Sequence, residues 1–502
     1  MKATALDWIK KPGILILPVL LFCSCAATKN LDYSPNKKFS PQQLKEDFSV
    51  LKTVLEANHP SLYWYSTKDS LDGFYYEVFS SLNDSLSEPA FKNKVSWYIT
   101  KIRDGHTSVQ SSEGRLYYLF NSRLKRFPLY LKTWDDSLVV ILNLNKDSVL
   151  TTGTVVTSID GGANKYVIDS IFQFISTDGY ADNFKNQALS FNFPLYYSFA
   201  FPVKDSFDIG YKDSLGLERS VRVPVYDPVK DSSGRKKRRA EIDQLSEKEK
   251  RKLRLLNKRN FISDTAKNTA YMRISSFSGG RLRSFFSTSF KQLKRDSIQN
   301  LIIDLRENSG GSITVSGKLL RYLIDHPFRL ADTVAAVNRS LPYSKYIKPD
   351  LMYRLAMFFT TRKKSDGKYH YTALENNVHK PYKRLHFNGN IYLLQGGFTF
   401  SSASMISGFL KGQENVTVVG EETGGGSYGT SAVYLPAIIL PNSRLQITLP
   451  LYRIVFDKDN IKTGRGTFPD ISTPPSSISI KERFDPKLKA VETLIEEKKP
   501  IR

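Results

Sequence analysis

The sequence predicts an α+β protein of several domains, because three stretches with different residue patterns follow one another along the 502-residue chain. The first has apolar residues at helical spacing, the second is rich in β-forming residues, and in the third, strand and helix patterns alternate. We assign residues 40–112 to an N-terminal helical domain, 113–226 to a β domain and 263–485 to a layered α/β domain. The length agrees with about three domains.

The N-terminal region opens with a clear helix start. Ser40 is a predicted N-cap, Pro41 lies in the first turn, and Gln43 completes a capping box. A second helical pattern spans residues 91–102, after which a turn delivers His106 from a loop. The apolar residues that recur at helical spacing after the cap should face a core: Leu44, Phe48, Leu51 and Leu55.

The strongest chemical signal is a serine-rich turn around Ser401, inside the stretch Gly396–Ser404. An apolar strand pattern at 391–394 precedes the turn, and a short helix pattern at 405–411 follows it. Backbone amides at a helix N-terminus can stabilise a developing oxyanion, so this is a suitable place for a nucleophile. Serine-rich turns also cap helices, however, and the pattern alone supports either interpretation.

Four further segments accompany this turn in a fixed order. They are Asp104-Gly105-His106-Thr107, the strand and Arg-x-Asn-x-Gly-Gly turn of 300–311, the glycine-rich run 420–426, and 464–470 with its Gly-Thr-Phe-Pro-Asp end. Together with the serine turn, the set resembles the C-terminal processing (tail-specific) serine peptidase family, most closely its tricorn-like branch. The resemblance covers roughly residues 40–485.

The resemblance implies a role for individual residues. Ser401 matches the family's nucleophile and His106 its general base, and imidazole is suited to taking and returning a proton near neutral pH. Backbone amides of Ser402 and of Gly310 or Gly311 match the oxyanion hole. A second branch of the family uses a lysine about 25 residues after the serine, where this chain has Gly426.

The third member of the triad stays open at this point. Tricorn-like enzymes place a glutamate just before the final Gly-x-x-Pro-Asp segment, but residues 463–465 include no acid. Asp457 and Asp459 lie a few residues earlier, and Glu422, beside Glu421, is a rival candidate.

The resemblance also implies the fold of the two larger domains. The α/β domain should have the spiral ββα arrangement of crotonase-type enzymes. Residues 153–161 are similar to the strand-and-turn core of a PDZ domain, which would hold an extended peptide by strand addition. The Gly-Leu-Gly-Phe-type loop of PDZ domains is not evident, so this domain either binds peptide or only spaces its neighbours.

The first 25 residues resemble a lipoprotein-type signal peptide. A basic start precedes the apolar run 14–22, which is too short to span a bilayer, and Cys25 is the predicted lipidated residue. Residues 26–39 would be a tether. We therefore expect a bacterial envelope lipoprotein, anchored in a membrane through its lipid and facing the periplasm or the cell surface.

Both cysteines of the chain fall in this leader, so we expect no intramolecular disulfide. None of the six histidines forms a His-x-x-x-His pair, which argues against a zinc hydrolase. The sequence predicts neither a metal nor a cofactor.

The formal charge of +24 is large, and it is partly concentrated in a basic insertion at 227–262 that contains the run 235–239. The predicted export argues against nucleic acid as a partner, which leaves anionic lipid, acidic polymers or simple solvation of a charged surface. Residues 486–502 are expected to be a charged tail. A second insertion, 338–385, is either a lid or substrate-binding arm or a passive surface excursion.

The sequence thus favours an exported serine endopeptidase acting on protein or peptide substrates. The alternative is an envelope scaffold that binds peptides without cutting them, which the missing lysine and the unassigned acid favour. A third class is a basic module that binds polyanions or membrane through the insertion at 227–262.

Overall fold

A computed structural model describes residues 33–145, 149–230 and 245–497. The predicted signal peptide with Cys25, residues 26–32 of the tether, the basic run 235–239 and the last five residues lie outside the described residues. Within the described part of the chain, no helix is long and apolar enough to cross a membrane.

The N-terminal region is helical, as its residue spacing predicts. The capping box is formed: the Ser40 amide donates to Gln43 Oε1 at 3.0 Å, and the Gln43 amide donates to the Ser40 hydroxyl at 3.4 Å. The four predicted core residues are fully buried: Leu44, Phe48, Leu51 and Leu55. The helices of this region span Pro41–Asn58, Lys68–Ser80, Glu88–Thr100 and Glu113–Asn121.

The middle region is an antiparallel sheet with a core of its own. In spatial order, its main strands are Leu129–Trp134, Ser137–Asn143, Val155–Ile159, Ser206–Lys212 and Glu218–Pro224, and the short strand Gly162–Ala163 pairs with the third. Three helices complete the region: Asn164–Phe172, Asn183–Phe191 and Phe193–Ala200.

One edge of this sheet is already occupied. The edge strand Leu129–Trp134 packs against the helix Asn183–Phe191, and the Thr133 amide donates to the Ser190 hydroxyl at 2.8 Å. A peptide that added a strand here would have to displace this helix. The geometry therefore gives no support to peptide capture at this edge.

The C-terminal region is built on a six-stranded sheet in which the first pair of strands is antiparallel and the others are parallel. Its strands, in spatial order, are Arg259–Asp264, Thr269–Ile274, Asn300–Asp304, Asn390–Gln395, Val416–Gly420 and Ile471–Ser472. The first strand, preceded by the helix Glu247–Lys258, begins within the stretch that charge alone assigned to an insertion. The helices Leu282–Arg295, Ile313–Leu323 and Ser402–Leu410 connect the strands.

Two smaller sheets complete the region. One has the strand order Arg362–Lys363, Tyr369–His370, Thr333–Ala336, Tyr452–Val455 and Gly429–Ala432. The other has the order Ile347–Lys348, Ala437–Ile439, Gln446–Thr448 and Val109–Gln110. The last of these strands comes from the N-terminal region, three residues after His106, so it attaches the loop of that histidine to the C-terminal region.

The predicted charged tail is largely a helix that belongs to the core. Pro486–Glu497 lies on the main sheet, and Val491 and Ile495 are buried against Leu394 and Val419. Most of its charged residues lie on the outer side of the helix, which is why composition alone suggested a charged tail, but Lys487 is buried and forms an ion pair with Glu421.

Candidate active site

Ser401 occupies a strained position directly before a helix. The strand Asn390–Gln395 leads into the serine turn, and the helix that follows begins at Ser402, three residues earlier than its apolar pattern predicts. Ser401 has φ 54° and ψ −125°, a conformation that residues with a side chain rarely adopt. Such strain persists only where the surrounding structure enforces it, and it is concentrated at functional sites.

Buried hydrogen bonds fix this turn. The fully buried Thr399 hydroxyl donates to the carbonyl of Leu305 at 2.9 Å and accepts from the Gly396 amide at 3.0 Å. The Phe400 amide donates to the carbonyl of Asn308 at 3.0 Å. The serine turn is therefore held against the turn that follows the strand Asn300–Asp304.

That neighbouring turn brings the two predicted glycines up to the serine. Gly310 has φ 100°, and a Cβ atom built on it would lie 2.7 Å from Ser401 Cβ and 3.2 Å from Ser401 Oγ. Only glycine permits this approach. The Gly310 amide donates to Asn308 Oδ1 at 2.9 Å, so that donor is already used within the turn. Gly311, at φ 136°, packs against Ser278.

His106 reaches this site from the N-terminal region. Asp104 fixes its loop, because Asp104 Oδ1 accepts the amides of His106 at 2.9 Å and of Thr107 at 3.1 Å. The centroid of the His106 ring lies 4.9 Å from that of Phe400, the residue before Ser401. A Cβ atom on Gly105 would lie 2.5 Å from Phe400 Cζ, so this contact also depends on a glycine.

Thr430 and Asp178, which no sequence motif indicated as site residues, lie next to His106. Thr430 Oγ1 lies 3.2 Å from His106 Nδ1, and the Thr430 hydroxyl donates to Asp178 Oδ2 at 3.0 Å. Because the Thr430 proton goes to the carboxylate, His106 Nδ1 must donate to Thr430, which leaves Nε2 as the acceptor nitrogen. This is the tautomer that a general base for a serine requires.

Asp178 is buried and surrounded by donors. Its Oδ1 accepts the Gly105 amide at 2.8 Å, and its Oδ2 accepts the Gly426 amide at 3.3 Å in addition to the Thr430 hydroxyl. Burial raises the pKa of the Asp178 carboxyl to about 6, and the adjacent His106 opposes that shift. The carboxylate therefore ties the histidine loop and the glycine-rich run 420–426 together.

The position of the lysine in the other branch of the family is closed to a side chain here. A Cβ atom on Gly426 would lie 2.6 Å from the carbonyl oxygen of Gly429 and 3.9 Å from Asp178 Cβ. The residue contributes a backbone amide to Asp178 instead.

The three acids proposed from the sequence lie elsewhere. Glu422 is buried and accepts from the guanidinium of Arg465 and, at 2.7 Å, from the Gly466 amide. Asp457 and Asp459 lie in an exposed loop, where the Asp459 amide donates to Asp457 Oδ1 at 2.9 Å. The acid that the structure brings to the histidine is Asp178, whose only sequence signal is an Asp-Gly pair, one of five in the chain.

Asp104, His106 and Asp178 present atoms within 4.8 Å of one another that could ligate a metal. Both oxygens of Asp178 and Oδ1 of Asp104 already accept hydrogen bonds from backbone amides or from Thr430. The buried His59 stands 3.7 Å from the remaining oxygen of Asp104. These hydrogen bonds hold the histidine loop in place.

A strained serine at a helix N-terminus, beside an imidazole with an oriented ring, is the kind of site that serine hydrolases have. Residues 268–473 match the model of peptidase family S41. The chain therefore contains a peptidase family S41 domain, and it is a serine-type peptidase. This confirms the family that the ordered motifs suggested. No curated protein matches the chain.

Two solved structures are similar over nearly the whole chain. The structure of mature CPAF complexed with lactacystin is 14% identical with a TM-score of 0.63, covering 91% of this chain and 98% of that one. Mature CPAF is 15% identical with a TM-score of 0.62, covering 92% and 99%. At this identity the likeness concerns the fold, and it extends to the regions outside the S41 domain.

Proposed function

We propose that the protein is an exported serine endopeptidase that cuts protein or peptide substrates with Ser401 as nucleophile and His106 as base. The observation that carries the proposal is the strained Ser401 with Gly310 packed against it and the hydrogen-bonded series His106–Thr430–Asp178 beside it. A peptide-binding scaffold has no need for a serine held in this conformation.

The chemistry follows from the donors and acceptors. Ser401 Oγ attacks the scissile carbonyl carbon while its proton passes to Nε2 of His106. The imidazolium that forms is stabilised by its Nδ1 bond to Thr430, whose own proton bonds to the Asp178 carboxylate. Nε2 then gives the proton to the leaving amine, and water hydrolyses the acyl-enzyme by the same steps in reverse.

The developing oxyanion needs backbone donors that are not otherwise engaged. The Gly310 amide donates to Asn308, which favours Gly311 as the donor from this turn. Ser402, the first residue of the helix, supplies the second amide from the positive end of the helix dipole. Each such donor contributes on the order of 100-fold in rate.

Asp178 and Thr430 are positioning residues in this mechanism, since they act through His106. They replace the open choice among Asp457, Asp459 and Glu422. Export with lipid anchoring at Cys25, a PDZ-like role of the middle sheet and the spiral ββα arrangement of the S41 domain remain part of the proposal on the strength of the sequence.

Cleavage of an unfolded protein substrate tests the proposal against the scaffold alternative. We expect the wild-type protein to release new amino termini from a casein substrate and Ser401→Ala to release none, with equal substrate binding by both. Binding without cleavage by the wild type would instead favour the scaffold. Cleavage retained in Ser401→Ala would move the nucleophile elsewhere.

A further inference from the structure

The helix Asp350–Thr360, inside the insertion 338–385, is apolar on two opposite faces. One face packs on the protein: Met357 is fully buried, and the Tyr353 ring lies 5.2 Å from the ring of Tyr434, which in turn contacts the buried Tyr452. Each apolar face of a helix is normally covered by another apolar surface. This helix is covered on one side.

The opposite face is open. Its five large apolar side chains follow the i, i+1, i+4, i+7, i+8 spacing of one helical stripe and are 51–72% exposed: Leu351, Met352, Leu355, Phe358 and Phe359. We call these five residues the apolar face. A contiguous exposed face of this kind marks a surface that meets an apolar partner.

Basic residues surround the apolar face. Residues 339–364 contain seven lysines or arginines and one acid, Asp350. Lys348 lies before the helix, Arg354 lies beside the stripe, and Arg362 and Lys363 follow its end, all exposed to solvent. An amphipathic helix with leucine and phenylalanine on one side and cations around it is typical of a segment that lies in the headgroup region of a membrane.

The dimensions and charges restrict what can cover this face. Eleven residues of helix are about 16 Å long, too short to cross a bilayer but sufficient to lie along one. A second copy of the same face would bring two basic rims together, which like-charge repulsion opposes. The surface is also a convex helix, whereas an extended peptide is held in a groove or at a sheet edge.

We propose that the apolar face docks on the surface of a lipid bilayer that contains anionic headgroups. Leu355, Phe358 and Phe359 would enter the acyl boundary while Arg354, Arg362 and Lys363 contact lipid phosphates. The proposal is independent of the peptidase chemistry.

The path of the N-terminus agrees with this orientation. Tyr33, the first described residue, lines the same cavity as Lys348 and Pro349, the two residues before the helix. Only residues 26–32 separate Tyr33 from Cys25, a link of about 28 Å when fully extended. A lipid on Cys25 would therefore hold this side of the molecule near the membrane, although docking of the helix does not require it.

A local probe tests the proposal in the full chain. Both cysteines lie in the leader, so replacing Cys23 and Cys25 by serine leaves one thiol when Leu355→Cys is added. An NBD fluorophore there should shift to the blue and brighten on vesicles containing about 30 mol% phosphatidylglycerol in phosphatidylcholine. The matched control is Leu215→Cys, 81% exposed in a hairpin turn, which should not respond.

The contributions of the basic residues and of the apolar face to membrane binding can be tested separately. Partition of the NBD probe at position 355 into the vesicle membrane should fall at least about tenfold when the vesicles are pure phosphatidylcholine. The double variant Arg362→Glu, Lys363→Glu should lower it to a similar extent, because it removes the cations, and so should Phe359→Ser, because it removes an apolar contact. An unchanged NBD spectrum on vesicles that sediment with the protein would overturn the proposal, since binding would then occur elsewhere. A shift that grows with protein concentration without lipid would overturn it in favour of self-association.

Discussion

At the scale of single residues, the proposed mechanism depends on the Thr430 hydroxyl, which lies between His106 and Asp178. Thr430 accepts from His106 Nδ1 and donates to Asp178, so it sets the ring tautomer and transmits the effect of the carboxylate. A direct histidine–carboxylate bond is the usual arrangement. Here two hydrogen bonds, His106–Thr430 and Thr430–Asp178, replace the single histidine–carboxylate bond.

Thr430→Val keeps the volume of this buried residue but removes both hydrogen bonds. We expect kcat to fall on the order of 10- to 100-fold, because the imidazole loses its orientation, while KM changes little. Thr430→Ser, which keeps the hydroxyl, should restore most of the rate. Steady-state kinetics on a peptide substrate measure kcat and KM for both variants. An equal loss of kcat in Thr430→Val and Thr430→Ser would mean that Thr430 serves only packing.

The pH dependence of the reaction should report Asp178. Its pKa is raised to about 6, so the carboxylate that stabilises the imidazolium is lost as the pH falls through that value. We expect kcat/KM to decline below about pH 6, in part because Asp178 becomes protonated. The part of the decline that Asp178 causes should be absent in Thr430→Val, because that variant removes the link between His106 and Asp178. An acid limb of identical shape in the two proteins would contradict this role.

The raised pKa of Asp178 also predicts that the protein loses stability over the pH range in which this carboxyl ionises. Because the folded pKa of Asp178 lies above the ordinary value of 3.8, its contribution to stability is fully present below about pH 4 and is lost as the pH rises through about 6. Relative to Asp178→Asn, the wild type should therefore lose up to about 3 kcal/mol of unfolding free energy over that range. Denaturant titrations at several pH values measure the difference; a difference independent of pH would refute the shift.

At the scale of elements, close approaches of backbone to side chain build the site. Gly105, Gly310 and Gly426 each lie where a Cβ atom would approach Phe400, Ser401 or the Gly429 carbonyl within 2.7 Å. The positions of these glycines in the motifs were evident from the sequence. The atoms they approach were not, because those atoms come from elements distant in the chain.

Gly426→Lys should not convert the site to a serine–lysine dyad. The side chain would collide with the Gly429 carbonyl, and the Gly426 amide that binds Asp178 would be displaced. We expect the Gly426→Lys variant to lose activity. The double variant Gly426→Lys, His106→Ala should also be inactive. Gly73→Ala, at an exposed position of the helix Lys68–Ser80 with open space around its Cβ, is the control and should be active. Recovery of activity in the double variant would contradict the histidine mechanism.

The apolar patterns predicted most elements because burial follows local spacing. The first helix with its capping box, the parallel strands of the main sheet and the strand–turn–helix at Ser401 all depend on neighbouring residues. Asp178 could not be found this way, since its function arises from contacts with Gly105, Gly426 and Thr430 across two regions. Nor did the sequence reveal that helix Asn183–Phe191 covers a sheet edge.

At the scale of the whole molecule, three parts of the chain converge on one site. The N-terminal region supplies His106, the middle region supplies Asp178, and the S41 domain supplies Ser401 and Thr430. The core of the helical region is continuous with that of the S41 domain. The family match at 268–473 therefore covers only part of the candidate active site.

The C-terminal helix Pro486–Glu497 is predicted to be necessary for stability. Val491 is fully buried against the main sheet, so Val491→Ala should lower the unfolding free energy by about 1–3 kcal/mol. The exposed Glu492→Ala, one residue along, is the matched control and should change it by less than about 0.5 kcal/mol. Equal stability of both variants in thermal or denaturant unfolding would show that the segment is the solvated tail its charges suggested.

Labelling of the purified protein with a fluorophosphonate, followed by mass spectrometry of the modified peptide, tests the proposed roles of Ser401 and His106 together. The Ser401–His106 mechanism predicts a single adduct on Ser401 that is absent in Ser401→Ala, nearly absent in His106→Ala, and slower to form in Thr430→Val. An adduct on another serine, or labelling of Ser401 that is unaffected by His106→Ala, would contradict it.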